Sequence, residues 1–331
     1  MSYTIIRPQS HEEWLRERNL GIGSSDIGAL AGVSHYATPV SLYMRRKGLI
    51  ERQPETDSMR AGHIMEPAIA YMYHRATGDI MDPTSEGDWI AADNDKPYLR
   101  VSVDRIFYDK NLPESERRYE NGYIVECKNY DRPLTGDSYP EAWYFQVQYQ
   151  MGVLGVKKAV IAWFGDRSTP FGYTTVPFNK TVYNAIVDLV DDFWLNHIVP
   201  GVVPDTVMNL EDVKLRYTNV VDEQVVASEQ ILDTVKRYNA LYPEYKRIEK
   251  ELDEYKFKIG EFMADKNLLV DENGDKLCSY NKTKLADGFD TKRFAEEHAD
   301  LYEQYRKTGR FTRTMSFRKP SKKASSAANN G

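Results

Sequence analysis

Cysteine is scarce: Cys127 and Cys278 are the two in 331 residues. Two thiols cannot supply a four-cysteine iron–sulfur cluster or a cysteine-rich zinc site, and they fit a reducing cytosol better than a disulfide scaffold. No run of 18 or more apolar residues occurs, so no membrane-spanning helix is expected. The opening stretch MSYTIIRPQSHEEW lacks a basic segment followed by an apolar one, so no signal peptide is expected either. No Gly-Lys-Ser/Thr follows the glycine loop Gly21-Ile-Gly-Ser-Ser-Asp26, which excludes a Walker nucleotide loop. An overall basic excess is also missing, the net charge being −6. That argues against a uniformly basic nucleic-acid binder, yet residues 306–323 gather eight Lys/Arg and no acid. A basic tail on an acidic body suits a polyanionic partner, or simply a solvated end.

What the chain does hold is a strand with a charged end. In Gly122-Tyr-Ile-Val-Glu-Cys-Lys128, aromatic and β-branched residues precede Glu126 and Lys128. Side chains two apart on a strand share a face, so this carboxylate and this ammonium emerge side by side. Residues 98–103 read as another strand, which ends in Asp104. Further strands are expected at 88–92, 105–108, 158–164 and 172–178, and an exposed hairpin tip at 110–121. Helices are expected over 11–17, from 27, after Pro39, and over 59–77, 139–154 and 182–198. This order predicts an α/β fold, a mixed sheet with helices on its faces.

Pro200, Gly201 and Pro204 mark a break. Beyond it, residues 224–265 are charged and helical, with Ile248, Leu252, Tyr255, Ile259 and Phe262 in 3-4 spacing. Pro243 is expected to separate two helices there. Asn273-Gly274 between apolar runs predicts a hairpin, and 289–305 a last helix. The expected division is a catalytic-type domain over 1–200, a helical and hairpin C-terminal extension over 201–318, and a disordered tail over 319–331.

Asp104, Glu126 and Lys128 form an Asp, a spacer, then Glu-X-Lys. Carboxylate oxygens suit Mg²⁺ or Mn²⁺, which keep open positions for water and phosphate. Lys128 could hold that water, or take its proton if its own pKa were depressed. The same three residues also suit a plain ion pair at a sheet edge. Cys127 is expected to face the core, while its backbone carbonyl could join the metal. Glu66, on the 59–77 helix, offers a further carboxylate, or is simply a solvent-facing helix residue. The Gly21–Asp26 loop can present N–H groups and hydroxyls to an anion at a helix start, or serve as a capped turn. His63 and His74 read as ordinary helix residues.

Taken together, Trp14 and Arg18, the GIGSSD loop, GHIMEP around Glu66, Val103-Asp104, Glu126-Cys-Lys128 and the FQVQYQM stretch through Gln146 and Gln148 resemble the YqaJ-like viral recombinases. These form the phage lambda exonuclease branch of the PD-(D/E)XK nucleases, and the likeness covers roughly residues 10–200. It implies a PD-(D/E)XK nuclease core in which Asp104, Glu126 and Glu66 meet Mg²⁺ and Lys128 handles the attacking water. Gln148 would orient the metal site or the scissile strand, and Arg18, Ser25 and Ser102 would cradle a 5′-terminal phosphate. Two departures stand out: Val103 replaces the expected proline, and the insertion between Asp104 and Glu126 is longer than in lambda exonuclease. The implied activity is Mg²⁺-dependent 5′–3′ exonucleolysis of linear duplex ends, which makes single strands for phage-type recombination in the cytoplasm of a bacterial host. A single-strand annealing protein and a ring-like homo-oligomer around double-stranded DNA come with it. Two rivals remain: a related flap, single-strand or nicking endonuclease, and a non-catalytic DNA-binding scaffold worked by the basic tail and helices.

Overall fold

Strict alternation along one strand builds the centre of the molecule. In the strand Tyr123–Asn129, Tyr123 and Val125 enter one apolar cluster with Cys127 packed against it. Ile124 enters the other, and Glu126 and Lys128 follow it on that side by the two-residue period. A computed structural model describes residues 2–51, 55–130, 134, 138–165, 171–218, 221–281, 289–306 and 315–317. Within these, the strands are β1 (Tyr3–Ile6), β2 (Ile80–Met81), β3 (Ile90–Asp93), β4 (Arg100–Val101), β5 (Arg105–Tyr108), β6 (Tyr123–Asn129), β7 (Lys158–Phe164), β8 (Phe171–Pro177), β9 (Leu268–Val270) and β10 (Lys276–Ser279). A five-stranded sheet runs β2-β5-β6-β7-β8. It is mixed: β6 pairs parallel with β7 and antiparallel with β5, and β7 pairs antiparallel with β8. A smaller sheet, β1-β3-β4, is antiparallel. The segments at 88–92 and 98–103 therefore pair in a sheet of their own. β1 had no signature in the sequence, because its two middle residues are exposed and it lies at an edge.

The helices follow from caps and stops. α1 (His11–Asn19) is capped by Ser10, α2 (Ile27–Leu30) follows the glycine loop, and α3 (Pro39–Arg46) opens on a Thr38–Ser41 capping box. α4 (Asp57–Thr77) and α5 (Glu141–Leu154) stop at Gly78 and Gly155, both left-handed. α6 (Lys180–Asp192) widens into a π-helical turn over Phe193–Ile198. α4 covers the Tyr123–Val125 face through Ile69 and Tyr73, and α5 covers the Glu126 face. α6 comes so close to α5 that a Cβ on Gly152 would stand 2.1 Å from the Tyr183 ring. No helix among the described residues is long and apolar enough to cross a membrane.

The first compact unit runs past the Pro200 break to Tyr217. The reason is α7 (Leu210–Arg216): Asp212, buried, accepts from the Thr38 hydroxyl (2.5 Å) and from the Met208 N–H (2.9 Å). The second unit, from Thr218, holds α8 (Glu229–Met263), the β9–β10 hairpin, α9 (Thr291–Glu297) and α10 (Ala299–Tyr305). The expected split at Pro243 does not occur: α8 is one 35-residue helix with that proline inside it. Ion pairs three or four residues apart brace the turns on both sides, among them Arg237–Asp233 (2.8 Å) and Lys246–Glu249 (2.6 Å). The last expected helix breaks at His298 into α9 and α10. Most of the basic stretch 306–323 and the whole 319–331 tail lie outside the described residues.

Candidate active site

Glu126, 3% exposed, is the hub of the charged corner. Its Oε1 accepts from Lys128 Nζ (2.8 Å) and Gln146 Nε2 (2.6 Å), and its Oε2 accepts from Gln150 Nε2 (2.9 Å). Lys128 also donates to Gln146 Oε1 (3.0 Å) and stands 5.6 Å from the centre of the Trp143 ring. Asp104, on the turn between β4 and β5, is tied to β6 by the Cys127 N–H, which donates to its Oδ2 (2.7 Å). The two acids and the lysine named from sequence therefore meet at one end of adjacent strands. The Cys127 side chain faces the α4 side, and burial, with Asp104 next, pushes its thiol well up. It is an inert core thiol.

The electrostatics of this corner are lopsided. Burial, then the charges of Glu126 and Glu66, push the Asp104 carboxyl well above the usual carboxylate range. Glu66 is pushed up by burial too, although Arg105 opposes it. Arg105, 4% exposed, donates from Nη1 to Glu66 Oε1 (2.5 Å) and to the Asp104 carbonyl (2.5 Å). Lys128 shifts opposite to what a base needs. Burial lowers it, but Glu126 and Asp104 more than offset that, so its pKa rises and it is held as an ammonium. Gln150 Oε1 and Arg105 Nε are buried without a hydrogen-bond partner. Crowded carboxylates and an unmatched amide oxygen are hard donors, so the donor set fits a hard divalent cation. As arranged, no three His, Cys, Asp or Glu side chains among the described residues surround one ion position. Glu66 is engaged by Arg105 and Glu126 by Lys128 and the two glutamines.

Gln148 is not at this corner. Its Nε2 donates to the Pro177 carbonyl (2.8 Å) and its Oε1 accepts the Asn179 N–H (2.8 Å), so it ties α5 to the start of α6. The glutamines at the acids are Gln146 and Gln150, four residues apart and so on one helix face, with Gln148 turned away between them. Gln150 Nε2 also reaches the Ser102 carbonyl (3.0 Å) and Ser24 Oγ (3.3 Å).

Those contacts lead to the glycine loop. Gly21 has no room for a side chain, since a Cβ would lie 2.3 Å from the Tyr98 carbonyl. The close approach lets Ile22 N donate to Tyr98 O (2.8 Å) and Arg100 N to Ile22 O (3.2 Å), which fastens the loop beside β4. Arg18 donates to Ser25 Oγ and lies 5.0 Å from the centre of the Trp14 ring. Ser102 is engaged through its carbonyl, by Ser24 and Gln150. Arg46, not singled out in the sequence, pairs with Asp26 and donates to the Arg18 carbonyl (2.8 Å). Burial would raise Asp26, but the Arg46 and Arg18 charges and the Gly23 N–H hold it below its ordinary value. Arg46 reaches the loop from a separate helix, and Arg105, although next to Asp104 in sequence, meets Glu66 from another element, so neither ion pair had a local signal. The i, i+4 spacing of Gln146 and Gln150 sets the two on one helix face, but it marks that face as the site only once Glu126 is seen beside it.

A mixed five-stranded sheet between helices, with an acidic pair and a lysine at one end of adjacent strands, makes this an α/β protein with a charged corner at the sheet end. Residues 13–157 match the model of the YqaJ-like viral recombinase domain. The matched stretch contains every residue of the charged corner and the glycine loop, though not Pro177 and Asn179, which Gln148 bonds. An uncharacterized protein YqaJ of Bacillus subtilis is 22% identical over 317 residues, covering 92% of this chain and 93% of that protein. Among solved structures, the alkaline exonuclease LHK-Exo of Laribacter hongkongensis has 18% identity and a TM-score of 0.43, with 56% of this chain and 91% of that one covered. A putative exonuclease of Eubacterium rectale has 10% identity and a TM-score of 0.37, with 67% and 97% covered. Likenesses as loose as these two carry no argument about the chemistry of this chain.

Proposed function

We propose that this protein is a Mg²⁺-dependent deoxyribonuclease that resects linear duplex ends from the 5′ strand and leaves single strands for recombination. The observation that carries it is the meeting of Asp104, Glu126 and Lys128 within reach, through Gln150 and Ser102, of the loop that holds Arg18 and Ser25. Asp104 and Glu126 would hold the ion, with Glu66 beside them. When bound, a divalent ion supplies an acidified water and offsets charge building on the phosphate. Lys128, an ammonium gripped by Glu126, orients that water by hydrogen bonding; it does not take its proton. Gln146 and Gln150 fix the Glu126 carboxylate so that its oxygens do not swing with the substrate. Arg18 and Ser25 would grip the 5′-terminal phosphate by charge-assisted bonds, and that grip favours attack from the 5′ end. The match to a recombinase domain supports a recombination role, with an annealing protein as the consumer of the exposed strand.

The test is a time course on end-labelled linear duplex with and without Mg²⁺. Loss of the 5′ label as mononucleotide is expected, faster on 5′-phosphate than on 5′-hydroxyl ends, with closed circles intact. Lys128→Ala and Asp104→Asn should each lower the rate by about a thousandfold or more, on the scale of losing a transition-state charge contact. Equal digestion of closed circles would replace this proposal with a nicking endonuclease, and undiminished digestion by either variant would remove the site assignment.

A further inference from the structure

Gln150 joins three parts of the molecule that lie far apart in sequence. It is fully buried in the second half of α5. Its Nε2 stands 2.9 Å from Glu126 Oε2 on β6, 3.0 Å from the Ser102 carbonyl just before Asp104, and 3.3 Å from Ser24 Oγ in the glycine loop. An amide nitrogen carries two protons, so three acceptors share two, and what one gains the others lose. The longest of the three contacts is the one to the loop.

The oxygen of the same amide is buried without a hydrogen-bond partner. Turning the amide over would set that oxygen against a carboxylate and a carbonyl, both acceptors, so its neighbours fix its orientation. Val147, Met151, Val153 and Leu154 on the same helix are all buried and apolar. An orphaned amide oxygen costs stability there, and packing alone gives no reason to place one in so apolar a stretch. Gln146, four residues earlier, spends its amide on Glu126 and Lys128. Gln150 is the glutamine that bonds the acid and the loop together.

We propose, resting on the cleavage and 5′ grip of the proposed function, that Gln150 is a positioning residue that makes cleavage depend on an engaged end. It passes the state of the Arg18–Ser25 loop, through Ser24, to the Glu126 carboxylate. Ser24 and Ser25 are consecutive on one turn, and Arg18 donates to Ser25 Oγ. A terminal phosphate accepts from Arg18 and from the Ser25 hydroxyl, which draws that turn toward the phosphate. Ser24 moves with it and gives up the weakest of the three contacts, together with its own long bond to the Ser102 carbonyl (3.4 Å). Both Nε2 protons then go to Glu126 and the Ser102 carbonyl, so the acid is held hardest when the end is in place.

The experiment compares 5′-phosphate and 5′-hydroxyl duplexes on wild type, Gln150→Met and Ser24→Ala. Cleavage is timed at saturating DNA and Mg²⁺, and binding is read by fluorescence anisotropy in a chelator. Wild type should cut 5′-phosphate ends about 5-fold faster or more, the lower end of ordinary coupling between sites. In both variants that advantage should fall toward one. Their tighter binding of 5′-phosphate ends in chelator should persist, because Arg18 and Ser25 are intact. Ser24→Ala leaves Gln150 on Glu126 and Ser102, so it decides the matter even where Gln150→Met fails to fold. Slower variants with an unchanged ratio would mean that Gln150 only supports the fold and the phosphate acts through the strand alone, which overturns the coupling and leaves the proposed function standing. Loss of the binding preference together with the rate ratio also overturns it, by making both residues part of the pocket wall. A wild type that cuts both ends equally removes the 5′ grip and the coupling with it.

Discussion

Asp26 and Asp104 are two half-buried aspartates on neighbouring pieces of backbone, and their surroundings drive them in opposite directions. Asp26 sits against Arg46 and Arg18 and is held below the usual carboxylate range in spite of its burial. Asp104 sits against Glu126 and Glu66 and is held well above it, burial being the larger cause. The first is a charge whose partners are already built, so it fastens the glycine loop. The second is a charge whose nearest neighbours have the same sign, with a single ammonium and one N–H on the other side. Folding alone gains nothing from crowding carboxylates in a dry corner. On the proposed reading, the difference separates a structural acid from one that would hold a cation, and it does so by surroundings rather than by residue type.

Neutralising each aspartate is the largest test of that contrast. Asp26→Asn removes the counter-charge of Arg46, which keeps its bonds to the Arg18 carbonyl and Asn19, so unfolding free energy should fall by about 1.5–3 kcal/mol, measured by urea denaturation. The sign with pH comes from the lowered carboxyl. Its stabilisation is present above the unfolded value of about 3.9 and disappears as pH falls through the lower folded value. The variant should lose that acid limb. Asp104→Asn keeps the acceptor for the Cys127 N–H and removes the like-charge crowding. Measured in a chelator at neutral pH, it should be no less stable than wild type, while losing cleavage. If both variants lost stability equally, the two acids would not differ in kind. Next in size is the cation itself. Mg²⁺ at about a hundred times its dissociation constant should stabilise wild type by about 2.7 kcal/mol and Asp104→Asn by far less, read as a shift in the thermal midpoint. An equal shift in both would place any bound Mg²⁺ elsewhere.

Much of this was legible because strands announce their faces. The period of two in Tyr123–Lys128 set Glu126 and Lys128 together, and the glycine-rich turn before Ile27 set Ser24 and Ser25 at a helix start. Direction of titration was not legible: Lys128 looks like a base in sequence and is an ammonium in place, since that depends on which acids surround it. Arg46 and Arg105 escaped because a guanidinium reaches its partner from twenty or more residues away, with no spacing rule to reveal it. On α8 the pattern was visible and the break was not. A proline predicts an interruption from its own chemistry, but the flanking ion pairs decide whether the helix continues.

The glutamine assignment went astray for a reason that can itself be tested. Helix phase is read from the contrast between an apolar and a polar face, and α5 has none: from Val147 to Leu154 every residue is buried. Without that contrast, Gln146, Gln148 and Gln150 look equivalent. In the fold they divide, Gln146 and Gln150 on Glu126 and Gln148 on the Pro177–Asn179 turn. Gln148→Ala removes the two hydrogen bonds of a fully buried amide, so it should cost about 1–3 kcal/mol of stability and leave turnover per folded molecule near wild type. Gln146→Ala, at a partly exposed position, should cost less stability and yet slow turnover at saturating DNA, because Lys128 and Glu126 lose the amide that bridges them. Titrating active molecules alongside urea unfolding keeps the two effects apart. A Gln148 variant that folds fully but turns over slowly would return that residue to the site and break the division of α5 into a catalytic face and a structural one.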